Sequence, residues 1–249
     1  MNEQKFSGKG NVYAKGRPGY PDALFEALEE RGVLTGSMVA ADIGAGTGIF
    51  TELLARHAAR VLAVEPNDDM RSQAALALKD AANVTLLAGT AEHTGVADGS
   101  VQLVCAAQAF HWFDRGAFLA ECRRMLTPDG YVMLVWNDRD FSSGVLKANA
   151  EVNRRFCPGF HGSSNGMDMT VGGLRDFFHG KIEEMQFAHD YLYDREMFLT
   201  RNLSSSYTPK EGEAGYTEYV AALGNVFDRF SEDGHVRYPY VTKCFLGKV

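Results

Sequence analysis

The ten residues Val39-Ala40-Ala41-Asp42-Ile43-Gly44-Ala45-Gly46-Thr47-Gly48 constrain the fold of this chain more than any other stretch. An apolar run that passes straight into three glycines describes a buried strand, a tight turn and the opening of a helix. A second apolar run, Val61-Leu62-Ala63-Val64, ends on an acidic residue, Glu65. α/β proteins use this arrangement to hold a nucleoside. The glycines let the backbone approach a ligand closely, and the two oxygens of a carboxylate match two ribose hydroxyls. The bland alternative is a turn in which the glycines only permit tight packing, which leaves the placing of Asp42 and Glu65 as a coincidence.

The spacing narrows the nucleoside. A dinucleotide fingerprint reads G-x-G-x-x-G, with a pyrophosphate on the helix N-terminus. Here the spacing is G-x-G-x-G, and Ile49 stands where the third glycine of that fingerprint would be. Asp42 would repel a pyrophosphate but suits a cationic ammonium group. S-adenosylmethionine (SAM) combines that ammonium with a sulfonium and a ribose, and has no phosphate. A nicotinamide-dependent dehydrogenase is therefore the weaker alternative, and a SAM-binding sensor or subunit without catalysis is another.

Strand and helix patterns alternate through the first part of the chain. Strands are expected at 38–43, 61–65, 83–88, 101–106 and 131–136. Helices are expected at 49–57, at 68–79 with Asn67 as N-cap, and from Asp114 to Met125. Pro128-Asp129-Gly130 marks a turn into the fifth strand. Such alternation implies a parallel sheet covered by helices on both faces, with ligands bound beyond the carboxyl ends of the strands. Later segments add helices at 144–155, 195–202 and 216–230, a loop at 157–166, and strands at 181–193 and 236–246.

At 249 residues, the chain is long enough for one α/β domain with a buried core. A net charge of −7 argues against broad contact with a nucleic-acid backbone, which calls for a basic surface. The four cysteines, Cys105, Cys122, Cys157 and Cys244, form no C-x-x-C pair, and the histidines show no metal spacing. A reduced, cytoplasmic setting is expected, with no metal. The first ten residues contain no apolar run suited to a signal peptide, and no stretch reaches the ~18 apolar residues of a membrane span.

Taken in order, these segments resemble the class I SAM-dependent methyltransferases. Val39 to Gly48 matches the family's first motif and Glu65-Pro66-Asn67 its second. Gly89-Thr90-Ala91-Glu92 corresponds to its third region. The strand at 101–104 with Gln108-Ala109-Phe110-His111-Trp112-Phe113 matches its fourth, and Leu126 to Tyr131 its fifth. The likeness is strong over residues 35–140. It is closest to the small-molecule branch that includes trans-aconitate and quinone-ring methyltransferases, whose opening segment the stretch Tyr13 to Pro21 also resembles.

The resemblance implies a Rossmann-like, doubly wound seven-stranded sheet, mostly parallel with an antiparallel last strand. It implies a single domain over 1–249, with cap segments near 1–35, 140–180 and 195–215. It implies methyl transfer from SAM to an oxygen, carbon or nitrogen of a small molecule, by a monomer or homodimer that uses neither nucleic acid nor membrane. The cofactor would meet Tyr13, Arg17, Asp42, Gly44, Ala45, Gly46, Gly48, Glu65, Pro66, Met70, Thr90, Ala91, Glu92 and Gln108. Met70 would pack on the adenine or serve as core. Thr90 departs from the family, which often has an acidic residue there, and this leaves the adenine contact open. Near the transferring methyl stand His111, Trp112 and Tyr207. His111 either takes a proton from the acceptor or holds the loop, since imidazole titrates near neutrality. Arg139 or Arg17 could hold a carboxylate, whether the cofactor's or a substrate's.

Overall fold

A computed structural model describes residues 19–162, 170–205 and 207–249. Tyr13 and Arg17 lie outside the described residues. In chain order the elements are α1 (Asp22–Glu30), β1 (Val39–Ile43), α2 (Ile49–Leu54), β2 (Arg60–Val64), α3 (Asp68–Ala77), β3 (Val84–Leu87), β4 (Val101–Ala107), α4 (Arg115–Met125), β5 (Leu126–Arg139), α5 (Gly144–Phe156), β6 (His179–Tyr193), α6 (Arg195–Leu203), α7 (Tyr216–Phe230) and β7 (Val236–Lys248). A single 3-10 turn spans Phe110–Trp112.

The strands form one seven-stranded sheet in the order β3-β2-β1-β4-β5-β7-β6. Pairs from β3 to β5 are parallel, and β7 runs antiparallel to both of its neighbours. The strand order reverses between β1 and β4, so both chains that leave their carboxyl ends there turn away and open a crevice. Asp42 faces Cys105 across this pair.

Period-2 alternation sorts the sheet's side chains between two cores. Ala41, Ile43, Val104, Ala106, Val132 and Leu134 face one way and pack with Phe118, Cys122 and Met125 of α4. Ala40, Val61, Leu103, Cys105, Met133 and Val135 face the other way, onto Leu24, Phe25 and Leu28 of α1 and Phe50 and Leu54 of α2. A third cluster joins α5, α6 and α7 to the first half of β7 through Leu146, Phe198, Tyr219, Leu223, Val236, Tyr238 and Tyr240.

Helix starts follow the expected caps. The Asn67 side chain accepts from the Met70 amide and the Asp114 side chain from the Ala117 amide, each such cap being worth about 1 kcal/mol. Pro128-Asp129-Gly130 does not precede the fifth strand but lies within it. Leu126 already pairs with Val101, and Tyr131 pairs with Leu103, so the intervening residues bulge out of the ladder. Glycine suits the bulge, since a Cβ at Gly130 would crowd the Leu126 side chain at 2.6 Å and the Thr127 and Gln102 carbonyls at 3.1 and 3.2 Å. The helix α1, whose pattern was not singled out in the sequence, buries Leu24, Phe25 and Leu28 completely.

One polar cluster ties the loop after β3 to α4. Glu121 is buried and accepts from the Thr94 amide at 2.9 Å, from the Thr94 hydroxyl at 2.6 Å and from Arg124 at 2.7 and 2.8 Å. The Arg124 hydrogen bond, aided by those from Thr94, outweighs burial and holds the Glu121 carboxyl down at about 2. Its folded value therefore lies below its unfolded one. The stability it supplies is present above about pH 4.5 and is lost as pH falls toward 2. Glu121→Ala should lower stability by about 1–3 kcal/mol at pH 7. Urea unfolding of both proteins at pH 7 and pH 2.5 should show the difference shrinking in acid.

Candidate functional site

The crevice is built around the glycine turn. After β1 the Gly44 and Ala45 amides both donate to the Val64 carbonyl, at 2.9 and 3.0 Å, which binds the turn to the end of β2. Gly44 has φ +74, and a Cβ there would meet the Ala109 Cβ at 2.6 Å, so the loop after β4 packs directly on it. Gly46 has φ +57, but a Cβ there would meet nothing within 4 Å. Its backbone borders open space, as the close approach of a ligand requires.

Glu65, 8% exposed, closes the turn from the other side. The Gly46 amide donates to one of its oxygens and the Asn67 amide to the other, each at 2.9 Å. Two backbone donors thus fix the plane of the carboxylate. A carboxylate offers about four lone-pair sites, the chemistry that paired ribose hydroxyls call for. Pro66 and Asn67 continue into α3, whose first turn buries Met70.

Asp42 is 1% exposed, and its Oδ2 accepts from the Thr51 hydroxyl at 2.6 Å. Its Oδ1 is buried with no hydrogen-bond partner, as is the Thr47 hydroxyl in the same turn. Burial raises the Asp42 carboxyl to about 7; the Thr51 hydrogen bond opposes the rise and the charge of Glu65 adds to it. An orphaned oxygen on a strained acid beside an open glycine turn fits an ammonium group, which would satisfy the oxygen and favour its charged form. These residues therefore fit an amino-acid-bearing nucleoside such as SAM.

The rim of the crevice comes from three strand ends. Thr90 and His93 exchange backbone hydrogen bonds in a turn that buries Ala91. Glu92 accepts from the Asp114 amide at 3.0 Å, which commits one of its oxygens to the start of α4. Gln108 follows β4 with φ +56, one of two non-glycine residues with positive φ among those described. Its amide donates to the Val135 carbonyl at 2.8 Å and its side chain to the Asn137 carbonyl at 3.2 Å. Such strain of roughly 1–3 kcal/mol persists where the surroundings over-determine it, commonly at functional sites. His111 and Trp112 lie next in the 3-10 turn, half-buried, with ring centroids 4.8 Å apart.

Asn137, not singled out in the sequence, joins the parts of the mouth. Its side chain donates to the Gly19 carbonyl at 2.8 Å and accepts from the Thr242 hydroxyl at 2.6 Å. The first described residue therefore enters at the end of β5. Two residues on, the Arg139 guanidinium donates to the Tyr207 hydroxyl at 3.2 Å. This brings Tyr207 to the same strand end. Burial would raise the Tyr207 phenol, but the Arg139 charge, hydrogen bonds with Ser205 and Arg139, and the Arg201 charge leave it below its ordinary value. Sequence pattern offers no signal for Asn137, whose role is set by strand pairing between β5 and β7.

Residues 41–134 match the model of the methyltransferase domain family. An uncharacterized methyltransferase of Mycobacterium tuberculosis is 38% identical over 151 residues, which span 59% of this chain and 58% of that protein. An uncharacterized methyltransferase-like protein of Schizosaccharomyces pombe is 35% identical over 129 residues, or 51% of this chain and 49% of its own length. The chain thus matches about half the length of these curated relatives. A solved structure from Anaeromyxobacter dehalogenans, assigned to the type II methyltransferases, superposes with a TM-score of 0.69 at 26% identity. That alignment covers 93% of this chain and 97% of the other.

The strained acid yields a prediction. The folded, ligand-free protein holds a proton on Asp42 more tightly than the unfolded chain does, so this residue costs stability as pH rises from about 4 to about 7. Asp42→Asn should raise the melting temperature of the ligand-free protein at pH 8 and have little effect at pH 4. The same substitution should weaken binding of an ammonium-bearing nucleoside at least tenfold. Scanning calorimetry and titration calorimetry of one variant test both halves, and a variant less stable than the parent at pH 8 would contradict the first.

Proposed function

We propose that this chain, whose residues 41–134 match a methyltransferase domain, transfers a methyl group from SAM to a small-molecule acceptor. The observation that carries the proposal is the pairing of Glu65, fixed by two backbone amides, with the orphaned Asp42 oxygen across an open glycine turn. Asp42 and Thr47 would take the ammonium end, Glu65 the ribose, and Met70 with the Thr90–Glu92 turn the adenine. An acidic net charge of −7 supports a small acceptor over a nucleic-acid backbone.

SAM bound there supplies an electrophilic methyl on a sulfonium, and its loss leaves a neutral thioether. The protein's part is chiefly alignment, since in-line displacement gains most from holding the reacting atoms in register. Gln108 fixes the floor where β4 ends, through its two bonds to the β5 backbone. Trp112 and Tyr207 wall the acceptor side. His111 accepts the proton that an O–H, N–H or acidic C–H acceptor gives up as its lone pair bonds to the methyl carbon.

Titration calorimetry should give binding of SAM and of its demethylated product S-adenosylhomocysteine (SAH), and none of comparable strength for NAD. Glu65→Ala should weaken SAH binding by about 1.5–3 kcal/mol, the scale of a hydrogen bond to a charged group. Tight NAD binding without a SAM signal would sink the proposal.

A metabolite screen that supplies a turnover assay permits a further test. His111→Ala should lower single-turnover methyl transfer by about 10²–10⁴ with SAM affinity nearly intact. Unchanged transfer would remove His111 from the chemistry, and a joint fall in stability and affinity would assign it to loop packing.

A further inference from the structure

Among the described residues, two arginines near the end of β5, Arg139 and Arg201, have no acidic partner. Arg201 of α6 is 3% exposed. Its Nε donates to the Tyr240 hydroxyl at 2.7 Å, and its guanidinium sits 5.7 Å from the centroid of that ring. Its Nη1 is buried and has no hydrogen-bond partner. Arg139, at the end of β5, donates to Tyr207 and pairs in register with Tyr240 of β7. The Arg139 charge is close enough to disfavour that of Arg201. Neither forms an ion pair with a carboxylate among the described residues.

The neighbouring acids are committed elsewhere. Asp138 pairs with Lys243 at 3.0 Å, and Asp140 accepts from the Ser142 amide at 2.9 Å. Around the guanidiniums stand Tyr193, Tyr207, Tyr238 and Tyr240, neutral groups whose oxygens help but carry no full charge. Burying an ion is unfavourable unless an opposite charge and good hydrogen bonds accompany it. A buried cation and a half-buried one beside the same tyrosine, with the Arg201 Nη1 left without a hydrogen-bond partner, describe a receptor for an anion. Guanidinium forks match the oxygens of carboxylate and phosphate groups.

The location links this cluster to the transfer site. Side chains two apart on a strand share a face, so Arg139 lies on the same face as Asn137, whose carbonyl holds the Gln108 side chain. From the proposed methyl-transfer role, which it presupposes, we infer that Arg139 and Arg201 bind an oxyanion of the methyl acceptor. The acceptor is thus an acid bearing a carboxylate or phosphate, oriented by charge from the cap side toward the end of β4.

The test uses the full chain saturated with SAH, titrated by calorimetry with malonate and separately with inorganic phosphate, in a buffer free of other oxyanions. Saturable binding of at least one anion is expected, and the one that binds identifies the acceptor's charged group. Arg139→Gln should weaken that binding at least tenfold and leave SAH affinity within about twofold. Arg201→Gln should do the same. Should that variant fail to fold, Arg201→Lys retains the charge without the fork and should still weaken the anion. No binding of either anion to wild-type protein that binds SAH normally would overturn the inference and leave methyl transfer standing. Wild-type protein that binds neither SAH nor SAM would instead remove the function on which the inference rests. Unchanged anion affinity in folded Arg139→Gln, or a parallel loss of SAH affinity that assigns Arg139 to the cofactor's own carboxylate, would also overturn it.

Discussion

The site depends on how the glycine turn is stitched to the end of β2. Three successive amides of the turn, from Gly44, Ala45 and Gly46, are consumed by the Val64 carbonyl and the Glu65 carboxylate. Buried amides must find acceptors, and here the acceptors belong to the neighbouring strand. The turn therefore cannot shift without β2 shifting with it, and Glu65 cannot rotate without releasing both Gly46 and Asn67. A carboxylate held this way is oriented before any ligand arrives, which spares the ligand the entropy of ordering it. The unrelieved Asp42 oxygen works in the opposite sense. It is a local cost that the rest of the domain tolerates, as functional groups often are.

Much of the fold is legible from local pattern. The runs at Val39–Ile43 and Val61–Val64, the Asn67 and Asp114 caps, and the α7 segment at Tyr216–Phe230 are set by periodicity and capping chemistry, which are properties of short windows. The helix α1 is less legible because its apolar residues acquire meaning only against Phe50 and Ala40, far along the chain. The turn at Pro128–Gly130 shows a different limit. Its residues predict a turn ahead of the strand, but strand pairing shows a bulge inside β5, which Leu126 has already begun.

The site divides in the same way. Asp42, the glycines and Glu65 lie within one strand–turn–helix–strand unit, so their spacing alone suggests their chemistry. Tyr207, Gln108 and His111 gain their places from the order of strands, which the resemblance supplies and composition does not. Arg201 gives no signal at all in the sequence. It sits in an ordinary helical segment, and its interest arises from being buried beside Tyr240 with an empty N–H. Glu121 is similar: its network needs Thr94, 27 positions away. Groups whose meaning lies in what they lack, or in a partner distant in the chain, are invisible to a window of residues.

The strand β7 has a divided allegiance. Its first half, through Val236, Tyr238 and Tyr240, belongs to the cluster of α5, α6 and α7, and its second half, through Cys244, Phe245 and Leu246, is embedded in the two faces of the main sheet. The amides of the glycine turn, by contrast, bond to β2 and Glu65 and not to α5, α6 or α7. On the proposed methyl-transfer role, drift in α5, α6 and α7 would reshape the acceptor side while leaving the glycine turn alone, provided β7 keeps its register with β5. The domain is in this sense modular without a linker. On the same proposed role, a lineage would exchange one acceptor for another by recasting three helices, with a single shared strand keeping them aligned to the glycine turn.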